Sequence, residues 1–312
     1  MIATGNQPLI SIVLTLYNKK EYIEEQIFSI RKQTYRNWEL IIVDDASTDW
    51  SYELTQALCS KLWIYDKCIF VQNPQNLWLA ITFYEWLKHV TGEYVAICDA
   101  DDVWMLDKLE RNLNFLKCEK RDLIYSNLIE TDEFNRPLNC HNVCKNISRN
   151  NHIEKLIRCN HATAPTIFFT ARVAKHLLEY ECPISTYQDY RVMLFCSCLW
   201  YSIGFDSSPL IYYRRYSTSL SIIDAGHDNL VLYLTAKRLE KTNILRLLLQ
   251  IKTLNKRVRR FLSLELIAND YLYHYLMSEY SFLWCLGGLL KIGKIEWIYI
   301  LLKYSFIKHH YK

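Results

Sequence analysis

Leu9–Asp49 reads LISIVLTLYNKKEYIEEQIFSIRKQTYRNWELIIVDDASTD, and two kinds of pattern alternate in it. Leu9–Asn18 and Trp38–Val43 are almost continuously apolar, which suits strands buried on both faces. Between them Ile23, Ile27 and Ile30 recur at helical spacing with charges in the gaps. The alternation continues with a helix near Trp50–Ser60, a strand near Cys68–Gln72 and a helix near Ala80–Val90. A strand at Tyr94–Cys98, a helix near Met105–Lys117 and a strand near Leu123–Asn127 follow. Such a run predicts an α/β fold whose mostly parallel, doubly wound Rossmann-type sheet spans residues 1–130. Ligands then belong at the carboxyl ends of the strands.

Two of those ends carry acids. The run Trp38–Val43 ends in Asp44-Asp45, and Tyr94–Met105, YVAICDADDVWM, crowds Asp99, Asp101 and Asp102 around one alanine. Like charges at this spacing raise carboxylate pKa values and cost stability unless a cation or proton donor relieves them. Asp is a favoured helix N-cap, which leaves Asp44-Asp45 open between capping and binding. For the second cluster, capping explains one acid at most, so a positive partner is expected there.

A sheet of this kind suggests a nucleotide, yet the chain has only 7 glycines, none between Gly5 and Gly92. Neither a G-x-G-x-x-G turn nor a G-x-x-x-x-G-K-[ST] loop occurs, which excludes the dinucleotide dehydrogenase and P-loop readings. A diphosphate is still held at an acidic strand end if Mg²⁺ or Mn²⁺ lies between, since these ions take one or two carboxylates plus substrate phosphates. Asp99-x-Asp101 supplies such carboxylates, and the ion would stabilise charge on a departing diphosphate.

These residues match a known pattern. Residues 9–130 closely resemble the N-terminal half of inverting glycosyltransferase family 2, whose members have the GT-A fold and use nucleotide sugars. Ser11–Asp49 is similar to that family's opening signature, and TGEYVAICDADDVWMLDKLE to its metal-binding segment. The DDVW ending and PLIYYRRYSTSLS further resemble bacterial rhamnosyl- and related surface-polysaccharide transferases, which leaves a UDP-sugar, the favoured donor, beside dTDP-rhamnose. The resemblance implies that Thr15 and Tyr17 line the base pocket, with Asp45 bonding the base and Asp44 beside it. It makes Asp101 the direct metal ligand, Asp99 a contact to ribose or metal, and Asp102 an acid near the metal or sugar. Trp104 is left open between a sugar-pocket floor and an ordinary core residue. One departure stands out: Trp78 occupies a position where relatives carry glycine, which puts the pocket near the diphosphate in question.

Inverting transfer needs a base opposite the leaving group. Relatives place an acid for this after the metal site; the matching stretch STYQDYRVMLFCS makes Asp189 the candidate, with capping of the following helix as the plain alternative. APTIFFTARVAKHL reads as a strand and helix completing the acceptor side, with His161 just before it. Arg214 and Arg215 are candidate clamps on the diphosphate, since arginine suits planar phosphate recognition. Tyr216 stands where relatives often have histidine.

The 312 residues, 51% hydrophobic and 22% charged, fit one large domain with an appendage. The reading divides them into a catalytic domain, 1–228, with donor half 1–130 and acceptor half 131–228, and a helical C-terminal region, 229–312. From Lys237 onward there are 14 Lys+Arg against 5 Asp+Glu, out of totals of 37 and 33, so the basic balance lies entirely in that region. Lys291, Lys294 and Glu296 interrupt its apolar run before a bilayer span is reached. Basic and aromatic-rich, the region instead suits an anionic membrane surface, or packing on a second subunit in an oligomer. Long apolar runs and the lack of a nucleic-acid motif argue against nucleic acid as partner. Eleven scattered cysteines and an N-terminus without a basic, then apolar leader point to a reducing cytoplasm. Cys140, His141 and Cys144, or Cys196 and Cys198, lack the second ligand pair of a zinc site. The expected partners are a nucleotide sugar and a glycan or lipid-linked glycan acceptor. Two rivals remain: a nucleotidyltransferase, whose Gly-rich loop is missing, and a catalytically silent sugar- and membrane-binding module.

Overall fold

The apolar runs pair as strands in a computed structural model of the chain, which describes residues 7–138, 156, 162–180, 188–216, 230–276, 282–291 and 301. Strands β1 (Ile10–Leu16), β2 (Trp38–Asp44), β3 (Cys68–Gln72) and β4 (Tyr94–Asp99) are mutually parallel in the order β3-β2-β1-β4. Helices α1 (Ile23–Arg31), α2 (Ser51–Lys61) and α3 (Trp78–Lys88) make the crossovers. Ile12, Val13 and Leu14 of β1 and Ile41, Ile42 and Val43 of β2 are fully buried, as are Ile23, Ile27 and Ile30 of α1. These strands therefore read as unbroken apolar runs because both their faces are covered.

Beyond β4 the sheet turns mixed. After the short strand β5 (Val103–Trp104) and helix α4 (Lys108–Cys118) comes β6 (Leu123–Thr131), which does not pair with β4. Strand β7 (Ile167–Thr170) lies between them, antiparallel to both. Helices α5 (Ala171–Leu178) and α6 (Gln188–Cys198) follow, and the long strand β8 (Ile203–Arg214) pairs parallel with β6 and antiparallel with β5. The full order is β3-β2-β1-β4-β7-β6-β8-β5. One sheet thus joins the stretch before residue 130 to the stretch after it, which places β8 beside the acidic loop after β4.

These elements belong to one compact unit, Met1–Tyr216, and Ser217–Lys312 forms a second. In the second, α7 (Leu230–Gln250) packs with α8 (Lys256–Leu276) over buried Leu245, Leu248, Leu262 and Leu272. Asn269 of α8, fully buried, donates to the Thr242 hydroxyl at 2.7 Å and to the Arg238 carbonyl at 2.8 Å. Helix α9 (Phe282–Lys291) reaches α8 through Gly288, where a Cβ would fall 2.4 Å from the Tyr271 ring. Among the described residues no helix is long and apolar enough to cross a membrane.

Candidate functional site

The strand register puts the predicted acids on one edge. Thr15 pairs with both Val43 and Asp99, and Leu16 pairs with Asp44, so Thr15, Asp44 and Asp99 lie at the carboxyl ends of three neighbouring strands. Tyr17, next along, is exposed. Asp44 is fully buried; one carboxylate oxygen accepts the Ser47 amide and the Gln72 side chain, each at 3.1 Å. Its other oxygen has no hydrogen-bond partner among the described residues. Asp45 accepts the Asn73 side chain at 2.8 Å and the Leu77 amide at 2.9 Å, immediately before α3. Asp45 thereby ties the loop at the start of α3 to β2. Asp49 ties another loop: hydrogen bonds from the Lys20 and Ser51 amides, each at 3.0 Å, meet its carboxylate. Burial raises the Asp49 pKa, but the nearby Ser51 side chain and those backbone bonds outweigh it and hold the carboxyl below its usual range.

At the end of β4 the three acids diverge in role. Asp99 is half-buried at the strand end, and desolvation, followed by the charges of Asp101 and Asp189, pushes its pKa up to about 8. Asp189, in the first turn of α6, is thereby placed within electrostatic reach of the acid cluster. Asp101 remains partly exposed and is met by a cation and a hydroxyl: the Lys19 ammonium lies 3.1 Å from its Oδ2, and the Tyr216 hydroxyl donates to the same oxygen. Asp102 points the other way. It is buried, with one oxygen accepting the Arg214 amide at 3.2 Å and the other without a partner among the described residues. Desolvation and then the charges of Asp101 and Asp99 push its pKa well up.

Arg214, at the end of β8, binds the loop itself. Its Nε donates to the Asp101 carbonyl at 2.8 Å, Nη1 to the Glu133 carbonyl, and Nη2 to the Glu25 carboxylate at 2.6 Å. The guanidinium also lies 4.8 Å from the centre of the Tyr22 ring, and its side chain is only 2% exposed. Expected on the sequence to grip a diphosphate, Arg214 is found with every nitrogen of its fork engaged in fixing the acidic loop against α1. Arg215 pairs with Glu130 at 2.6 Å. Trp104 is 3% exposed, so the structure places it in the core, its ring under the Lys108 ammonium at 4.8 Å. The side chain of Trp78 lies outside the described residues, as do His161, Cys140, His141 and Cys144.

Three participants carry no signal in the sequence. Lys19 sits in an ordinary charged helix start; its meeting with Asp101 and Tyr216 depends on pairing across the sheet. Asn73 is visible only through Asp45. Lys108 looks like a surface lysine but is fully buried, and desolvation lowers its pKa to about 7.

A divalent ion fits this donor set. Burial and the charge of Asp101 raise the cost of ionising both Asp99 and Asp102, and a cation relieves that cost. No group of three or more His, Cys, Asp or Glu that could cage a metal occurs among the described residues. One or two carboxylates with phosphates and water completing the shell is the arrangement Mg²⁺ and Mn²⁺ favour.

Comparison with known proteins gives the family and the fold. The family described as Glycosyl transferase family 2 matches residues 11–173, more than half of the chain. The putative teichuronic acid biosynthesis glycosyltransferase TuaG of Bacillus subtilis is 36% identical over 113 residues, 36% of this chain and 44% of its own length. The Escherichia coli UDP-Glc:alpha-D-GlcNAc-diphosphoundecaprenol beta-1,3-glucosyltransferase WfaP is 34% identical over 125 residues, 40% of this chain and 48% of its own. The chain thus spans less than half the length of these curated relatives. Among solved structures, S. aureus TarS 1-349 in complex with UDP-GlcNAc superposes with a TM-score of 0.62 at 17% identity, covering 84% of this chain and 72% of that one. The mannosyltransferase PcManGT from Pyrobaculum calidifontis, in complex with GDP-Man and Mn²⁺, gives 0.57 at 15% identity, covering 98% and 81%. These likenesses establish the GT-A fold, and with an acid-ended parallel sheet matching the family over 11–173, the chain belongs to glycosyltransferase family 2.

Proposed function

We propose that the protein is a metal-dependent inverting glycosyltransferase that moves one sugar from a nucleotide diphosphate, a UDP-sugar by preference, to a bacterial surface glycan or its lipid-linked precursor. The observation that carries this reading is the crowding of Asp99 and Asp101 at the end of β4, within electrostatic reach of Asp189. TuaG, a putative teichuronic acid biosynthesis enzyme, and WfaP, which uses UDP-Glc, support the glycan and UDP-sugar assignments, and the Mn²⁺ in the PcManGT complex supports the metal.

Asp99 and Asp101 would hold a Mn²⁺ or Mg²⁺ ion, which as a Lewis acid would offset negative charge on the leaving diphosphate. Arg214 keeps the loop bearing them in place, so that the carboxylates need not reorganise during reaction. Thr15, Tyr17, Asp44 and Asp45, at the ends of β1 and β2, would receive the nucleoside. Asp189 removes the proton from the acceptor hydroxyl as its oxygen bonds to the anomeric carbon and the bond to the diphosphate breaks. Attack opposite the leaving group inverts that carbon.

The basic balance from Lys237 to Lys312 supports peripheral association with an anionic cytoplasmic membrane face, where lipid-linked acceptors are presented. The direct test is calorimetric binding of UDP, dTDP and GDP with Mn²⁺ and with chelator. Metal-dependent binding of one nucleotide that is lost in Asp101→Ala supports the assignment; binding indifferent to both overturns it.

A further inference from the structure

Lys19 belongs to no role assigned so far, yet its ammonium holds the outward oxygen of Asp101 at 3.1 Å. It also donates to the Tyr216 hydroxyl and lies 5.0 Å from the centre of that ring. Tyr216 donates in turn to Asp101 and packs on Tyr22 with ring centroids 4.9 Å apart, and Tyr22 carries Arg214 on its ring. Tyr216 is 8% exposed, so it forms a fixed wall. The backbone around Lys19 is fixed as well: the Asn18 amide donates to Ser47 and the Lys20 amide to Asp49, each at 3.0 Å, while the Lys19 carbonyl accepts the Tyr22 and Ile23 amides. Only the side chain is free to swing, and it remains 26% exposed.

We propose that Lys19 is an internal counter-ion that occupies the cation seat of Asp101 in the ligand-free protein and leaves it for the diphosphate when the donor arrives with its metal. This rests on the reading of Asp101 as a metal ligand. An ammonium has donors and no lone pair, so it does not share a carboxylate oxygen with a divalent ion; it repels one. Metal alone must therefore displace Lys19 into water, whereas metal with a diphosphate offers the displaced ammonium new acceptor oxygens. Metal and nucleotide then bind cooperatively, and linkage requires the effect to be reciprocal. The ammonium consequently has two positions: on Asp101 when the site is empty, and on the diphosphate when it is filled.

The test measures Mn²⁺ binding to the full chain by the electron paramagnetic resonance of free Mn²⁺, at constant ionic strength, with and without UDP or GDP. Lys19→Met is expected to bind Mn²⁺ alone about tenfold more tightly than the wild type, and to lose a similar factor of the nucleotide-induced gain. Tyr216→Phe, which keeps the ring but removes one partner of the ammonium, is expected to lie between. Lys19→Gln is measured in parallel, with thermal melts confirming that each variant is folded. If Lys19→Met and Lys19→Gln bind Mn²⁺ no better than the wild type while Asp101→Asn loses it, the counter-ion proposal is overturned and the metal site stands. If the wild type and all variants fail to bind Mn²⁺ with or without nucleotide, both are overturned.

Discussion

Replacing Arg214 by methionine should act on the stability of the protein before it acts on the chemistry. The guanidinium is 2% exposed and serves three acceptors, the Asp101 and Glu133 carbonyls and Glu25. Losing the fork leaves two carbonyls short of a donor, at about 1–3 kcal/mol each. Glu25 is 54% exposed, so its ion pair adds about 1 kcal/mol at most after solvent screening. The sum, about 2–7 kcal/mol, brackets the about 3–5 kcal/mol expected when one side of a buried charged contact is removed, and that narrower range is the expectation here. For a unit of this size each kcal/mol moves the melting temperature by about 2–4 °C, which predicts a fall of about 6–20 °C. Arg214→Lys retains the charge but not the fork and should recover little of the loss. Thermal melts and urea titrations of the three proteins decide it. A loss below about 1 kcal/mol for Arg214→Met would refute the claim that this side chain holds the acidic loop.

Three further outcomes follow from particular contacts. Lys108, its pKa lowered to about 7, binds fewer protons folded than unfolded between there and the ordinary lysine value, so its contribution to stability rises with pH across that window by up to about 1.4 kcal/mol per unit; urea titrations should show the advantage of Lys108→Met over wild type greatest near pH 6 and shrinking toward pH 9.5, and a constant difference would contradict the assignment. Gly92→Ala would place a Cβ 2.7 Å from the Leu9 carbonyl oxygen and 2.8 Å from the Ser11 amide, backbone atoms that cannot rotate away; a loss of about 1–3 kcal/mol is expected in chemical denaturation. Asp189→Asn should keep nucleotide affinity and lose turnover by at least about a hundredfold, the usual scale for a general base, so near-normal turnover would reassign that role.

Apart from the two-residue β5, the strands and α-helices up to α4 are legible because each is a local pattern: β1 and β2 are apolar on both faces, and α1 repeats isoleucine at helical spacing. Strand β8 is not, since Asp206, Ser207, Ser208 and Pro209 interrupt it where its register with β6 shifts. Nor does any local signal announce that the four residues of β7 insert antiparallel between β4 and β6. The acids were legible as a cluster, because repulsion among neighbours in sequence needs no fold to be recognised. Their division was not: Asp101 faces Lys19 while Asp102 turns to the Arg214 amide, and both partners arrive from distant strands and loops. The same distance hid the occupation of Arg214, whose type suggested phosphate and whose surroundings give it three protein acceptors instead.

Nucleotide release from a panel of UDP-, dTDP- and GDP-sugars, with Mn²⁺ or Mg²⁺ and with chelator, tests the central claim most directly when run beside Asp101→Ala. The account predicts release from one donor, dependent on the metal and lost in the variant. Release that persists in chelator and in Asp101→Ala would contradict it.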